Sequence, residues 1–435
     1  MWRSSFIPKD RSGRRKRPDM EDVHGVVIVG GGIGGLATAL ALHRKGIHSL
    51  VLEKSETLRA DGVAISIHAN GWRALDSLAV GTELRELATL ITAEHRVWPQ
   101  QNKTTLAPTR KELRCLRRKD LVQTLANNLP AGAIRFGCHI AAIDAADPSS
   151  HGAVLTTVDG STMKAKVLIG CDGANSVVAK FLGLSRPSQL PCLGILGLTS
   201  YPKGQPFGSE YLHLLGKGYA FGQIPITGNI VHFYINMSIQ STELKKSFKT
   251  RDCDDTDTTK DDASKGKDYA LQKLQECQCP AEIAETVRRS DPESLKILTR
   301  MWYRPPWRLV LGRFQRGNVT VAGDAMHVMG PFNGQGGAAA LEDAVVLARS
   351  LSLAVPGGVD APMATDHGLQ EKIGAAIGRY VQERRPRVVK LSLESFVMGA
   401  LLGAKSLVKK VVCAAILGIL GSKSRFQANY DCGSL

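Results

Sequence analysis

The residues best placed to do chemistry are glycines and carboxylates at the ends of short apolar runs. Gly30-Gly31-Gly32-Ile33-Gly34-Gly35 follows the β-branched run Val26–Val29 and fits GxGxxG at Gly30, Gly32 and Gly35. In that pattern the first glycine makes the tight turn, the second lets backbone approach a pyrophosphate, and the third lets a helix pack on the sheet. The phosphate then lies at a helix N-terminus, where free N–H groups and the dipole attract an anion. Glu53 ends the next apolar run, His48–Leu52, at the distance of about 20 residues where an acid takes ribose hydroxyls. Lys54 beside it joins the same candidate set. Alone, the motif suits FAD and NAD equally.

The same device recurs twice. Val167–Ile169 runs into Gly170-Cys171-Asp172-Gly173, and Val319–Ala322 runs into Gly323-Asp324. Each puts an acid at the carboxyl end of a buried strand, where open α/β sheets bind ligands. After Asp324 come Pro331 and Gly334-Gln335-Gly336-Gly337, opening a helix that contains Glu342-Asp343. A glycine-rich helix start brings N–H groups to a flat ring, and its positive end favours a reduced, anionic one.

These residues need a scaffold. Val26–Val29, a helix over Ile33–Lys45 closed by Gly46, and His48–Leu52 form a βαβ unit. Helices are predicted over Gly71–Leu90, Lys119–Leu129, Tyr269–Arg289, Gly336–Ser350 and Val381–Leu393. Short strands are predicted over Ala133–Ile143, Ala153–Val158 and Ala165–Ile169. From Gly194 to Ile239 the texture changes to strands split by Pro and Gly, which reads as an inserted antiparallel sheet. Lys249–Lys267 is rich in Asp, Thr, Ser and Lys and is expected to be a disordered loop.

Composition narrows the class. The 435 residues carry 56 Lys and Arg against 40 Asp and Glu, a net charge of +16, with 43% hydrophobic residues. That excludes a mainly disordered chain and a multi-span membrane protein, and it favours anionic ligands. No nucleic-acid-binding module is present in the sequence, so nucleic acid is not expected as a partner. The nine cysteines include no CxxC pair, which fits free thiols in a reducing compartment and no metal site.

The three motifs in this order resemble those of single-component FAD-dependent monooxygenases, the aromatic-hydroxylase family. Gly170–Ser176, Gly323–Gly337, Leu58-Arg59…Gly62 and Asn70-Gly71-Trp72-Arg73-Ala74-Leu75-Asp76 are similar to the plant salicylate-hydroxylase-like branch. The resemblance runs from Val26 to about Leu393. It implies a Rossmann-like FAD-binding α/β domain with an inserted antiparallel substrate domain, as in para-hydroxybenzoate hydroxylase. It places Gly30, Gly32, Ile33, Gly34 and Gly35 on the FAD pyrophosphate and Glu53 on the adenosine ribose. Arg118 falls beside the cofactor, Asp172 on FAD and NAD(P)H, and Asp324 on the ribityl and phosphate region. Pro331, Gly334, Gly336 and Gly337 fall by the flavin ring. Ala179-Lys180 stand where many relatives carry an arginine, and Phe332-Asn333 replaces a differently sized pair beside the flavin.

The activity implied is hydroxylation of a small, salicylate-like aromatic by NAD(P)H and O2 through a flavin C4a-hydroperoxide. No side-chain nucleophile is required. Tyr211, His213, His232 and Tyr234 are candidate bases for a phenol, although each also reads as a packed strand residue. His327 reads as a structural neighbour of Asp324. An epoxidase-type enzyme acting on an apolar isoprenoid at a membrane, or a non-catalytic FAD-binding protein, would share the motifs.

The resulting layout is a basic extension over 1–22, a first FAD-binding part over 23–185, a substrate domain over 186–300, a second FAD-binding part over 301–393 and a C-terminal helical segment over 394–435. The extension is expected to be disordered. The expected location is the cytoplasm, or the chloroplast if the Arg and Ser residues of the extension form a transit peptide; Arg14-Arg15-Lys16-Arg17-Pro18 also suits a nuclear signal, and Met20 is an alternative start of the chain. In the last segment the longest clean apolar run, Val411–Gly421, is too short to span a bilayer, and lysines interrupt the rest. It reads as a helix packed on the body, with peripheral membrane contact as the alternative.

Overall fold

The computed structural model describes residues 22–59, 62–98, 101–109, 111–145, 152–216, 218–238, 260–276, 279–355, 367–404 and 406–435. Residues 1–21 of the basic extension, Cys253 and Cys277 lie outside them, and Asp22 already belongs to the first strand.

The chain opens with β1 (Asp22–Val29), α1 (Ile33–Arg44) and β2 (Leu50–Leu52). It continues through β3 (Ala64–His68), α2 (Ala69–Ser77), α3 (Gly81–Glu86), β4 (Ala93–Trp98), β5 (Lys103–Pro108), β6 (Leu113–Arg117) and α4 (Arg118–Asn127). The expected helix over 71–90 is broken because Ala79 takes φ +58°, a left-handed conformation that ends α2. Next come β7 (Ile134–Arg135), β8 (Ile140–Ala145), β9 (Ala153–Thr157), β10 (Thr162–Gly170) and α5 (Val177–Phe181). The run expected as one strand over 133–143 is split, with Gly137 at φ +69° in the gap.

The antiparallel region holds β11 (Ser188–Leu190), β12 (Cys192–Ser200), β13 (Glu210–Gly216), β14 (Tyr219–Thr227) and β15 (Ile230–Ser238). Helices α6 (Lys260–Glu276) and α7 (Ala281–Arg288) follow, then β16 (Lys296–Leu298) and β17 (Met301–Tyr303). Lys260–Lys267, expected to be loop, is therefore helical, and Gly266 packs against Ile297. Residues 249–259 lie outside the described residues. The chain returns through α8 (Pro306–Leu311), β18 (Gln315–Arg316), β19 (Val319–Val321), the one-turn α9 (Asp324–His327) and α10 (Gly336–Ala354). It ends in α11 (His367–Leu402), α12 (Leu407–Gln427) and a non-helical tail.

Two large sheets result. The first has the order β18-β19-β10-β1-β2-β7, with β9 and β8 added beside β10. Its centre, β19-β10-β1-β2-β7, is parallel. Val27, Ile28, Leu168 and Ile169 are fully buried there, as strands covered on both faces must be. The short sequence spacing of β1 and β2 leaves α1 as their crossover, and α10 packs on α1. The second sheet has the order β16-β12-β15-β14-β13-β4-β5, antiparallel except at β13–β4. Two of its strands come from 93–108, well before the main antiparallel run.

That second sheet has two unlike faces. Leu214, Phe221, Phe233 and Ile235 form one core with Ala270, Leu274, Ile283 and Val287 of α6 and α7. The opposite face carries Ile224 and Ile226 against Leu113 and Cys115 of β6. Strand β6 pairs with β3, so this small ribbon lies between the second sheet and the rest of the molecule.

Candidate functional site

The first glycine motif is built as its spacing requires. Gly30 takes φ +103°, and a methyl group there would meet the Cys171 carbonyl oxygen at 2.5 Å. A methyl on Gly35 would lie 1.9 Å from the Gly30 carbonyl oxygen. A methyl on Gly32 would meet nothing within 4 Å. The first and third glycines are thus consumed by packing, while the second faces open space at the N-terminus of α1.

Glu53 is 1% exposed at the end of β2. Its Oε2 accepts the Gly31 N–H at 2.7 Å, and its Oε1 accepts the Ser55 N–H at 2.9 Å and lies 3.2 Å from Arg59 Nε. It binds the glycine loop to the second strand. A pocket of about 330 Å³ opens beside it, lined by Gly30, Glu53, Lys54 and Asp172. Arg59, Cys138, His139, Ile140, Asn175 and Val177 also line it and were not singled out as site residues from the sequence. Asp172 Oδ2 accepts the Val177 N–H at 2.7 Å, but its Oδ1 is buried with no hydrogen-bond partner among the described residues. Burial holds the Asp172 carboxyl above its usual range, against the hydrogen bonds from Ser176 and Val177. An unsatisfied carboxylate oxygen facing a polar pocket is what a sugar hydroxyl would complete.

The third motif meets the first. A methyl on Gly34 would lie 3.9 Å from Gly323 Cα and 3.6 Å from Ala340 Cβ of α10. Asp324 is exposed at the first turn of α9, displayed by Gly323 at φ +60°. Pro331–Asn333 make a short turn, Gly334 takes φ +61°, and Gly336 and Gly337 open α10. A methyl on Gly337 would clash with Ile65 of β3 at 2.4 Å, and one on Gly334 would come within 3.9 Å of His68 Nε2. Arg118 is the first residue of α4, and its side chain crosses Gly62, where a methyl would meet its Cδ at 2.2 Å.

Behind the third motif lies a buried charge network that sequence reading missed. Asp343 accepts the Gly323 N–H at 2.8 Å, lies 2.6 Å from His327 Nε2, and accepts from Arg384 Nε at 2.7 Å. Burial works to raise the Asp343 carboxyl, but His327 and Arg384 outweigh it and hold it down at about 2. Arg384 Nη1 also sits 2.8 Å from Glu342, and Arg387 binds Glu342 through two nitrogens at 2.8 and 3.0 Å. Asn70 Nδ2 donates to Glu342 at 2.7 Å and to Gln335 at 2.8 Å. The tail closes over this cluster: Tyr430 lies 4.4 Å from the Arg387 guanidinium, and Arg73 takes the Asn429 and Tyr430 carbonyls. His327 is structural, as its sequence position suggested.

A separate polar group lies on the ribbon-facing side of the second sheet. Pairing puts Tyr234 opposite Gly222 and His213 opposite Gly222 from the other side. Gly222 leaves room for the Tyr234 ring, whose Cε1 would otherwise be 2.2 Å from a methyl there. The Tyr234 hydroxyl lies 2.8 Å from His213 Nε2 and is also hydrogen-bonded to the Tyr211 hydroxyl. Glu94, opposite Tyr211, acts electrostatically on Tyr211, His213, Tyr234 and also His68. The three residues are thus not independent packed strand residues. His232 is: it is buried, with Nδ1 3.1 Å from the Gly197 carbonyl oxygen.

Burial, with Arg96 adding to it, pushes the His213 imidazole down to about 4, and burial does the same for His232. Unfolded, both would titrate at the ordinary 6.5. Between those values the unfolded chain binds more protons than the folded one, so acidification from 6.5 towards 4 favours unfolding. We expect a loss of roughly 1–3 kcal/mol per histidine over that window. Urea denaturation at stepped pH checks this; His232→Gln should flatten the slope.

A family model described as FAD binding domain matches residues 24–364. The chain belongs to this FAD-dependent monooxygenase family. Monooxygenase 1 of Arabidopsis thaliana is 40% identical over 96% of this chain and 100% of its own length. Monooxygenase 2 of the same plant is 33% identical over 94% and 98%. Among solved structures, Klebsiella pneumoniae HpxO complexed with FAD and uric acid has a TM-score of 0.72 at 20% identity, covering 94% of this chain and 98% of that one. The fold is that of the para-hydroxybenzoate-hydroxylase type, with parallel and antiparallel sheets joined as described.

Membership in the monooxygenase family explains why three distant motifs converge. A methyl on Gly30 would run into Cys171 and Asp172, and one on Gly34 would reach Ala340 and Gly323, so the three stretches lie side by side. The open Gly32 cradle and the orphaned Asp172 oxygen both fit the FAD that the family binds. The missed residues left little trace in sequence, apart from the basic run Arg384-Arg385-Pro386-Arg387, of which Arg384 and Arg387 reach Glu342-Asp343.

Proposed function

We propose that this monooxygenase hydroxylates a small phenolic, salicylate-like ring, with NAD(P)H and O2 as co-substrates. FAD, when bound, supplies the hydride acceptor and the activation of O2. Gly30, Gly32, Ile33, Gly34 and Gly35 would hold its pyrophosphate on the α1 N-terminus. Glu53, Lys54 and Asp172 would hold the adenosine side, and Arg118 and Asp324 the middle of the molecule. Pro331, Gly334, Gly336 and Gly337 would border the ring.

The observation that carries the substrate class is the hydrogen-bonded row Tyr211–Tyr234–His213. It stands on the sheet face turned to the β3–β6 ribbon, and β3 carries His68 beside Gly334. A neutral His213 can accept a proton from Tyr234, and Tyr234 from Tyr211; with His213 at about 4 the row cannot keep that proton, so it acts by passing a phenol proton on to solvent at half-buried His213. Removing that proton raises the electron density of the ring carbon to be hydroxylated. Burial, with Glu94 and Cys115 adding to it and against the hydrogen bond with Tyr211, keeps Tyr234 protonated, at about 12, so it acts as a relay and not as a standing charge. Uric acid in the HpxO complex is likewise a small planar acid, which supports a ligand of that size.

The test is NAD(P)H oxidation by the FAD-loaded chain across a set of phenolic acids, with product mass. Tyr234→Phe should lower hydroxylation about 100-fold at unchanged FAD content. An unchanged rate would remove the relay from the reading.

A further inference from the structure

The described residues leave the apolar side chains on the outer face of α12 exposed. Val408, Val411, Val412, Ala415, Ile416 and Ile419 recur at the spacing of one helical face, and all are exposed, Val408 at 74% and Ile419 at 71%. The opposite row is the one that meets the body, with Cys413 at 7%. The helix is also fastened in place. It packs along α11, and Arg387 holds the Gln427 carbonyl at its far end at 2.7 Å. It therefore cannot roll over to bury its outer face.

Charge says what covers it. Ser395–Tyr430 contains five Lys or Arg and no Asp or Glu, and exposed Lys409 flanks the apolar row. Two copies of this face would bring like charges together, whereas an anionic lipid surface offers both an apolar layer and the opposite charge. Among the described residues no helix is long and apolar enough to cross a membrane. We propose that α12 is an interfacial helix that seats the protein on an anionic bilayer, with its Val408–Ile419 face in the headgroup layer and Lys409 at the phosphates.

The experiment is sedimentation of the full-length, FAD-loaded chain with vesicles of phosphatidylcholine alone or with about one-third phosphatidylserine. Pelleting is expected only with the anionic vesicles, and it should fall in about 1 M salt, where the screening length is about 3 Å. Val412→Asp with Ile416→Asp should cut the pelleted fraction at least about ten-fold at unchanged flavin absorbance. Lys409→Glu, a change at a solvent-facing side chain, should act in the same direction. Absence of pelleting with anionic vesicles, or equal pelleting by the double variant, overturns the proposal. So does a lipid-free mass of two chains that the double variant reduces to one, because a second copy would then cover the face.

Discussion

Gly32→Leu should yield a folded, colourless protein. The position has nothing within 4 Å, so a larger side chain costs the fold little, yet it fills the space where backbone N–H groups must approach a pyrophosphate. Gly35→Ala provides the contrast. Its methyl would lie 1.9 Å from a backbone oxygen that cannot move without dislodging β1 from α1. We expect about 3 kcal/mol or more of destabilisation there, at the upper end of overpacking costs. Flavin absorbance after purification and thermal unfolding of both variants separate the two effects. Retention of FAD by Gly32→Leu would show that the cofactor does not use this cradle.

The second large effect is expected at Arg384. Replacing it by Leu leaves Asp343 and Glu342 buried with one partner fewer, and removing one member of a buried ion pair typically costs 3–5 kcal/mol. Arg384→Lys should recover little, because one ammonium cannot span two carboxylates as the planar guanidinium does. Asp343 also fixes the Gly323 N–H, so the turn that displays Asp324 should loosen and FAD affinity fall with stability. Urea denaturation followed by intrinsic and flavin fluorescence reads both. A midpoint within error of the parent chain would contradict the assigned network. Acid acts on the same site: with Asp343 held at about 2 against an ordinary 3.8, its contribution persists above about 4 and is lost as pH falls towards 2.

Much of the glycine-and-acid geometry at the strand ends was legible because its signals are local. A tight turn after a buried strand demands glycine, and an acid follows it within a few residues, so Gly30, Asp172 and Asp324 announce themselves one by one. The charge network did not, because its members join across 272 residues for Asn70 and Glu342 and 41 for Asp343 and Arg384. Such pairings have no period. The tail was illegible for a different reason. It is held through the carbonyls of Asn429, Tyr430 and Cys432, groups that every residue possesses. The strands over 93–108 escaped notice because β5 is exposed along its whole length and shows no apolar alternation. The break at Ala79 carries no glycine to mark it. Tyr211, His213 and Tyr234 were visible as candidates, but only the strand register, with Gly222 between two of them, reveals that they form one row.

The central claim is that a phenolic ring lies between the Gly334–Gly337 turn and the Tyr211–Tyr234–His213 row and there receives one oxygen atom. It is tested most directly by turnover of the FAD-loaded chain with NAD(P)H and a phenolic acid under heavy-isotope O2, followed by product mass. The account predicts one labelled atom in a new ring hydroxyl, formed in step with NAD(P)H oxidation. Oxidation of NAD(P)H that yields only peroxide with every phenolic acid supplied would contradict it.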